Sequence, residues 1–137
     1  MKGITHVLTV GDFDIWRYED EFTYIKFPIG DSPDQDIAQF FTESNAYIED
    51  CLKSGGKVLI HCAAGISRST AVCCAYLMKT WKQPYEDVLK HIWTKRPIAT
   101  PNLGFREQLK KYQLELGIES EGKSDQVRVG NGFWKGL

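Results

Sequence analysis

The chain has 137 residues, of which 42% are hydrophobic and 26% are charged. This balance is typical of one soluble globular domain with a core of ordinary size, and it argues against disorder throughout the chain. The 17 basic and 18 acidic residues give a formal net charge of -1. Without an overall basic field, we expect neither nucleic acid nor an anionic membrane as the main partner.

The four cysteines, at positions 51, 62, 73 and 74, show neither Cys-x-x-Cys spacing nor a cluster with histidine. We therefore expect neither a zinc site nor a disulfide framework. Such cysteines fit a reducing compartment, so the predicted location is the cytoplasm, the nucleus or both. The amino terminus lacks a signal-peptide pattern, and no apolar run approaches the length of a membrane span.

Three short runs predict β-strands. β-Branched and aromatic residues at 4–10 and 22–29 are each followed by a Gly-Asp pair, and the apolar run at 57–60 predicts a third, buried strand. Between the second and third strands, apolar residues at helical spacing over 37–52 predict an amphipathic helix. A strand, a helix and a further strand favour parallel pairing. The predicted fold is α/β, with a central, mostly parallel sheet flanked by helices and a ligand site at the carboxyl ends of the strands.

Helical patterns continue after the third strand. Residues 70–82 have helix-forming composition, Pro84 opens a second pattern that reaches Trp93, and a third runs from Phe105 to Leu116. We expect their apolar faces to form core rather than to bind a cofactor.

The predicted domain covers residues 1–117. Residues 118–137 are polar and rich in glycine and serine as far as the pair at 133–134, which predicts a flexible tail. A short strand or docking peptide at 127–134 is the alternative.

The segment that carries chemistry is 58–69, an apolar run that ends in Cys62, with Arg68 six residues further on. Gly65 permits a tight curl in which successive backbone N–H groups point at one centre and form an anion nest. A helix that begins near Ser67 or Arg68 directs the positive end of its dipole to the same point. Both effects favour a thiolate at Cys62, which makes it a candidate nucleophile.

Two further side chains fit a phosphate-binding loop. The planar guanidinium of Arg68 can hold two phosphoryl oxygens, and the Ser69 hydroxyl can stabilise the Cys62 sulfur when it leaves as a thiolate. An inert buried cysteine is the competing interpretation, but a glycine, an arginine and a serine at fixed offsets argue against it. The candidate substrate-binding residues of the loop are Ala63, Ala64, Gly65, Ile66, Ser67 and Arg68.

A cysteine that attacks a phosphate ester requires an acid to protonate the leaving oxygen. Asp31 is the candidate because it lies closest to the end of the second predicted strand, whereas Asp34 and Asp36 fit ordinary loop chemistry. His61 is adjacent to Cys62 in a strand, so its ring should face the opposite side. We interpret His61 as a buried histidine that bonds to backbone and supports the loop.

These residues resemble those of the dual-specificity protein phosphatases, close to the branch of the mitogen-activated-protein-kinase phosphatases. The likeness covers residues 4 to about 116. It implies a cysteine-based protein phosphatase fold, with residues 1–117 as the catalytic domain, and a dual-specificity protein-tyrosine phosphatase activity. The residues that carry the likeness are Asp31, the segment His61-Cys62-Ala63-Ala64-Gly65-Ile66-Ser67-Arg68-Ser69, and Pro101-Asn102.

The resemblance also implies roles for single residues. Cys62 would form a phosphocysteine, Arg68 and the loop amides would bind the phosphoryl group, and Asp31 would act as acid and then as base. Ser69 would aid the second step, and Asn102 would support the loop. The implied partner is a phosphorylated protein, with protein kinases among the candidates, and no metal or cofactor takes part.

Two other classes compete with this interpretation. Low-molecular-weight phosphatases and arsenate reductases also use Cys-x5-Arg, but with the cysteine near the amino terminus and the acid near the carboxyl terminus. A phosphoprotein-binding pseudophosphatase would be expected to lack the nucleophile, the arginine or the acid, and all three are present. Lipid phosphatases tend to carry lysines in the loop to meet further phosphates, and this loop has none.

The family usually has a strand pair and a helix before the segment that matches residues 4–10, so the amino terminus is shortened relative to it. We expect this departure to leave a sheet edge uncovered. A homodimer or exchanged segment, formed through the strand at 4–10 or the tail at 127–134, is the expected cover.

Overall fold

A computed structural model of the chain describes residues 3–13, 21–63 and 66–119, and the structural statements below concern these residues. Their strands form one parallel sheet of three: β1 (His6–Val10), β2 (Thr23–Phe27) and β3 (Val58–His61). The strand order is β2-β1-β3, and His6 of β1 faces both Thr23 and Val58. The carboxyl ends of all three strands therefore lie at the same edge of the sheet.

The described residues also form four α-helices, which pack on the sheet and on one another: α1 (Phe41–Lys53), α2 (Arg68–Trp81), α3 (Tyr85–Lys95) and α4 (Leu103–Glu115). One turn of 3-10 helix at Ala38–Phe40 precedes α1. The expected α/β fold, with its parallel sheet and flanking helices, is confirmed. None of the helices in the described ranges is long and apolar enough to cross a membrane.

Helix α2 is the centre of the molecule. It packs against β1 and β3 on one side and against α1, α3 and α4 on the others. Every residue from Ser69 to Met78 is buried, which is typical of a helix enclosed by other elements. Because α2 begins at the carboxyl end of β3, its first turn is fixed by the core.

The strand at 4–10 is not an edge of the sheet. β1 pairs with β2 on one side and with β3 on the other, so its backbone is bonded on both sides. The outer strands of the described sheet are β2 and β3, so the expected uncovered edge would lie there and not at the strand at 4–10.

At the other end of the chain, the packed region extends one residue beyond 117. Gly117 takes a φ of 76°, in the left-handed region that glycine adopts without steric cost after a helix. Ile118 is then buried, and its N–H donates to the carbonyl of Gln113 at 3.1 Å. The predicted tail lies outside the described residues from position 120 onward, as does the alternative strand or docking peptide at 127–134.

Candidate active site

Cys62 lies directly after β3 and faces the first turn of α2. Its side chain is 8% exposed, and its Sγ accepts the backbone N–H of Ser69 at 3.3 Å. The Cys62 thiol also donates to Ser69 Oγ at 3.3 Å. When the thiol loses its proton, this hydroxyl can donate to the sulfur instead. The sulfur thus meets two hydrogen-bonding groups and the positive end of the α2 dipole, all of which stabilise negative charge.

Arg68, the first residue of α2, points across the carboxyl ends of the strands. Its Nη1 donates to the carbonyl of Ile29, two residues after β2, at 2.9 Å. Its Nε is buried without a hydrogen-bond partner among the described residues. A buried guanidinium donor that lacks a partner is costly unless a ligand satisfies it. Arg68 is therefore set to bind an anion with the part of its fork that faces away from Ile29.

The second half of the phosphate-binding loop is pinned to the segment before α4. The carbonyl of Ile66 accepts the N–H of Thr100 at 2.8 Å, and Ser67 Oγ accepts the N–H of Asn102 at 2.9 Å. Ser67 is buried, while Ile66 is exposed. In the first half of the loop Ala63 is exposed. The two remaining candidate residues, Ala64 and Gly65, lie outside the described ranges.

Asn102 joins the candidate acid to the loop. Its Nδ2 donates to Asp31 Oδ1 at 2.9 Å, and its Oδ1 caps α4 by accepting the N–H of Phe105 at 2.9 Å. Together with the bond to Ser67, these contacts connect Asp31 to the loop that carries Cys62. Asn102 is N-cap residue and connector at once, which is why an asparagine, with a donor and an acceptor, suits the position.

The two other aspartates of this segment have different surroundings. The Asp34 carboxylate accepts a hydrogen bond from the nearby Ser32 hydroxyl. Asp36 is exposed, and its backbone carbonyl accepts a hydrogen bond from Gln39 Nε2 at 2.8 Å. Of the three carboxylates, Asp31 is the one that is hydrogen-bonded through Asn102 to the phosphate-binding loop.

Among the described residues, His61 bonds to a side chain, whereas we expected a backbone partner. Its Nε2 lies 2.8 Å from Thr9 Oγ1 on β1, and its ring packs edge-on against Phe13, with the ring centroids 5.7 Å apart. The ring is half-buried, and this burial lowers its pKa. The expected backbone partner is wrong because local sequence does not show which side chain of the neighbouring strand lies beside the ring. The neutral imidazole supports β3 from the side of β1.

Two residues that shape the site, Ile29 and Gly11, were not predicted from the sequence. The carbonyl of Ile29 holds Arg68, but a backbone acceptor leaves no mark in a sequence. Gly11 follows β1, and a Cβ there would lie 2.5 Å from the Phe13 ring and 3.2 Å from Arg68 Nη1. A glycine after a strand can indicate that another segment approaches the backbone closely, but glycine is also common where a strand simply ends.

Comparison with known proteins gives the family of this chain. The family model of the dual specificity phosphatase catalytic domain matches residues 1–115. The chain therefore belongs to the dual specificity phosphatase family, and the expectation from its motifs is confirmed.

Two curated relatives show the degree of similarity within that family. This chain is 40% identical over 116 residues to serine/threonine/tyrosine-interacting protein B of Xenopus laevis. The aligned region covers 81% of this chain and 52% of that protein. It is 40% identical over 109 residues to dual specificity protein phosphatase 15 of Homo sapiens, with 80% and 37% covered. The chain thus spans about half or less of the length of these curated relatives.

The fold is also that of a solved relative. The crystal structure of the human tyrosine phosphatase-like serine/threonine/tyrosine-interacting protein matches with a TM-score of 0.79 and 36% identity. The match covers 82% of this chain and 78% of that chain.

Proposed function

We propose that this chain is a protein phosphatase that hydrolyses phosphotyrosine and phosphoserine or phosphothreonine through a phosphocysteine on Cys62. The observation that carries the proposal is the cluster at the start of α2. There the Cys62 sulfur accepts the N–H of Ser69 at 3.3 Å, and Arg68 keeps a buried donor without a partner among the described residues. A nucleophile and an anion-binding donor on one helix terminus suit phosphoryl transfer.

In the first step the Cys62 sulfur attacks phosphorus, and the P–S bond forms as the P–O bond to the substrate breaks. Arg68 and the backbone N–H groups of the loop hold the phosphoryl oxygens, on which negative charge is concentrated. Asp31 gives its proton to the leaving oxygen. The bond from Asn102 to Asp31 Oδ1, at 2.9 Å, orients this carboxyl group.

In the second step water attacks phosphorus and the P–S bond breaks. Asp31, now ionised, takes a proton from the water, so that the acid of the first step becomes the base of the second. The sulfur leaves as a thiolate, and the Ser69 hydroxyl, 3.3 Å away, donates to it. The step returns the free enzyme and inorganic phosphate without a metal or redox cofactor.

The proposed substrate is a phosphorylated protein, and protein kinases are among the candidates. The family membership supports this class of substrate. The uncharged loop side chains favour a single phosphate group over a substrate that carries several. We propose the cytoplasm or the nucleus as the location, because four free cysteines suit a reducing compartment.

A phosphoprotein-binding module without turnover is the second candidate. Similarity to proteins named for interaction with serine, threonine and tyrosine favours it. Such a module needs the anion site but not the nucleophile and the acid. Cys62, Arg68 and Asp31 are all present, and Asn102 bonds Asp31 to Ser67 of the loop that carries the other two, so catalysis is the better supported of the two.

Steady-state assays of Cys62→Ser test the proposal. Loss of the sulfur nucleophile should lower turnover of 4-nitrophenyl phosphate and of phosphotyrosyl and phosphothreonyl peptides by more than about a thousandfold. Binding of tungstate, a phosphate-like oxyanion, should persist in calorimetry because Arg68 and the amides remain. The matched control is Cys51→Ser, the same change at a buried cysteine of α1, which should retain activity. Wild-type rates in the Cys62 variant, or a wild-type chain that binds the peptides without hydrolysing them, would contradict the proposal.

A further inference from the structure

The segment that carries Asp31 lies against α4. This acid loop, residues 30–37, connects β2 to the 3-10 turn before α1. Within the loop, the N–H of Gly30 donates to Gln35 Oε1 at 3.2 Å, and the N–H of Gln35 donates to the carbonyl of Ser32 at 3.1 Å. These bonds make the loop a compact unit, but none of them fixes where it stands relative to Cys62.

Gln108 of α4 fixes the far end of the acid loop. Its Nε2 donates to the carbonyl of Gln35 at 2.8 Å, and its Oε1 accepts the N–H of Ala38 at 2.9 Å. One side-chain amide thus satisfies two backbone groups that lie 73 and 70 residues away in sequence. A half-buried glutamine that uses both its donor and its acceptor in this way holds the loop in one register.

Gly104, one helical turn before Gln108, lets the middle of the loop approach the helix. A Cβ at this position would overlap the carbonyl of Pro33 and lie 2.5 Å from the Pro33 Cα. Backbone atoms cannot move aside as the end of a long side chain can. Residues four apart lie on the same face of a helix, so Gly104 and Gln108 form one surface on which the acid loop rests.

The same end of α4 is bonded to the phosphate-binding loop. The N–H of Asn102 donates to Ser67 Oγ at 2.9 Å, and its side chain bonds to Asp31 Oδ1. The start of α4 is therefore a shared support for the acid and for the loop of the nucleophile. A shift of the acid loop away from Gly104 and Gln108 would move Asp31 relative to Cys62 without touching the cysteine.

We propose that Gly104 and Gln108 are positioning residues that hold Asp31 where it can protonate the leaving group. This role rests on the proposed phosphatase function. It predicts that damage to the α4 surface impairs the proton transfer selectively and leaves nucleophilic attack intact. General acid catalysis is worth most when the leaving group is basic, so the effect should depend on the substrate.

The test compares kcat/KM for phenyl phosphate, which has a basic leaving group, with that for 4-nitrophenyl phosphate, which has an acidic one. Gln108→Met removes both hydrogen bonds while keeping the size of the side chain. We expect a loss of about tenfold to a hundredfold for phenyl phosphate and less than about threefold for 4-nitrophenyl phosphate. Gly104→Ala should give the same pattern, although alanine is the better helix former.

Gln113→Met is the matched control. Gln113 is a buried glutamine of the same helix that also bonds two backbone groups, the N–H of Tyr85 at 2.8 Å and the carbonyl of Ile118 at 3.4 Å. Its loss should lower the melting temperature but leave the ratio of the two kcat/KM values unchanged. Equal losses on both esters in the Gln108 and Gly104 variants, or the same ratio as in the Gln113 variant, would overturn the positioning role.

A double-mutant cycle separates positioning from a general structural effect. In an Asp31→Asn background, Gln108→Met should cause no further loss on phenyl phosphate because no acid remains to be positioned. A further loss as large as in the wild-type background would overturn the role. If the wild-type chain hydrolyses neither ester, the proposed function fails as well; if it hydrolyses both and the ratio does not respond, only the positioning role fails.

Discussion

At the scale of single residues, Ser69 supplies the two hydrogen-bonding groups that contact the Cys62 sulfur among the described residues. The N–H and hydroxyl of Ser69 lie 3.3 Å from it, and the imidazole of His61 is bonded to Thr9. Because the His61 ring is bonded to Thr9, the proposed mechanism assigns it no proton transfer with Cys62. The arrangement leaves Asp31 as the one group that the proposed mechanism asks to exchange protons with the substrate.

Asp31→Asn tests that assignment. We expect kcat/KM for phenyl phosphate to fall by about a hundredfold or more, because an amide cannot protonate the leaving oxygen. The effect on 4-nitrophenyl phosphate should be smaller. Asp34→Asn and Asp36→Asn serve as controls in the same loop. Equal losses in all three variants, measured from pH 5 to 8, would remove the assignment.

His61 should make the folded state sensitive to acid. Because burial lowers its pKa, the folded chain binds fewer protons than the unfolded chain once the pH drops below the ordinary histidine value. Stability should therefore fall between pH 7 and pH 5. His91, whose pKa is lowered by burial and by Lys95, acts in the same direction.

Urea unfolding of His61→Gln measures this contribution. Glutamine can still bond to Thr9 but does not titrate, so the variant should lose less stability between pH 7 and pH 5 than the wild type. Adding His91→Gln should flatten the dependence further. A pH dependence identical to that of the wild type would show that His61 does not contribute.

The site residues that could be predicted most directly from the sequence are those that lie close together along the chain. Cys62, Arg68 and Ser69 stand within one strand-to-helix turn, so their spacing alone predicts a shared centre. Asp31 could be chosen because the carboxyl ends of parallel strands meet at one edge. The predicted partner of His61 is wrong, because Thr9 lies on another strand and no local pattern connects the two residues.

At the scale of elements, the site depends on how segments approach one another. The strand order β2-β1-β3 places the end of β1 between the ends of β2 and β3, whose loops carry Asp31 and Cys62. Periodicity predicted the strands and helices within a few residues, because burial of one face imposes it. It could not predict that β1 is central or that α4 supports the acid loop, because both depend on contacts between distant segments.

Gly11→Ala tests the close approach at the end of β1. The added Cβ would lie 2.5 Å from the Phe13 ring and 3.2 Å from Arg68 Nη1, so the ring or the guanidinium must move. We expect the affinity for tungstate to fall about tenfold, roughly 1.4 kcal/mol, because Arg68 loses its alignment. Calorimetric titration measures the change in Kd.

Gly55→Ala is the control for this substitution. Gly55 has a φ of 82° and no atoms near the added Cβ, so alanine there strains the turn after α1 without crowding the site. It should lower the free energy of unfolding by about 1–2 kcal/mol and leave the Kd for tungstate unchanged. Unchanged binding in the Gly11 variant would show that Arg68 tolerates the extra methyl group.

At the scale of the whole molecule, α2 joins stability to function. Its buried face from Ser69 to Met78 contacts the sheet and three helices, and its first turn supplies Arg68 and Ser69 to the site. The core therefore sets the position of the helix terminus that faces Cys62. The loops that carry Asp31 and Asn102 are attached to one another, to α4 and to the phosphate-binding loop mainly through hydrogen bonds, so substitutions there should alter rate more than stability.

The last prediction concerns self-association. We had expected a homodimer or exchanged segment formed through the strand at 4–10 or the tail at 127–134. β1 is paired on both sides, and its exchange would cost two ladders of backbone hydrogen bonds, so the tail is the remaining candidate of the two. Its Val127, Phe133 and Trp134 are residue types that favour strands and apolar contacts.

Light scattering across a dilution series compares the full chain with a variant that ends at Glu119. If the tail pairs with a second copy, the full chain should shift from dimer to monomer on dilution, whereas the shortened variant should be monomeric at every concentration because it lacks the pairing segment. Thermal unfolding of the shortened variant serves as the control that residues up to 119 remain folded. A full chain that stays monomeric at the highest concentration, or a shortened variant that still dimerises, would contradict the role of the tail.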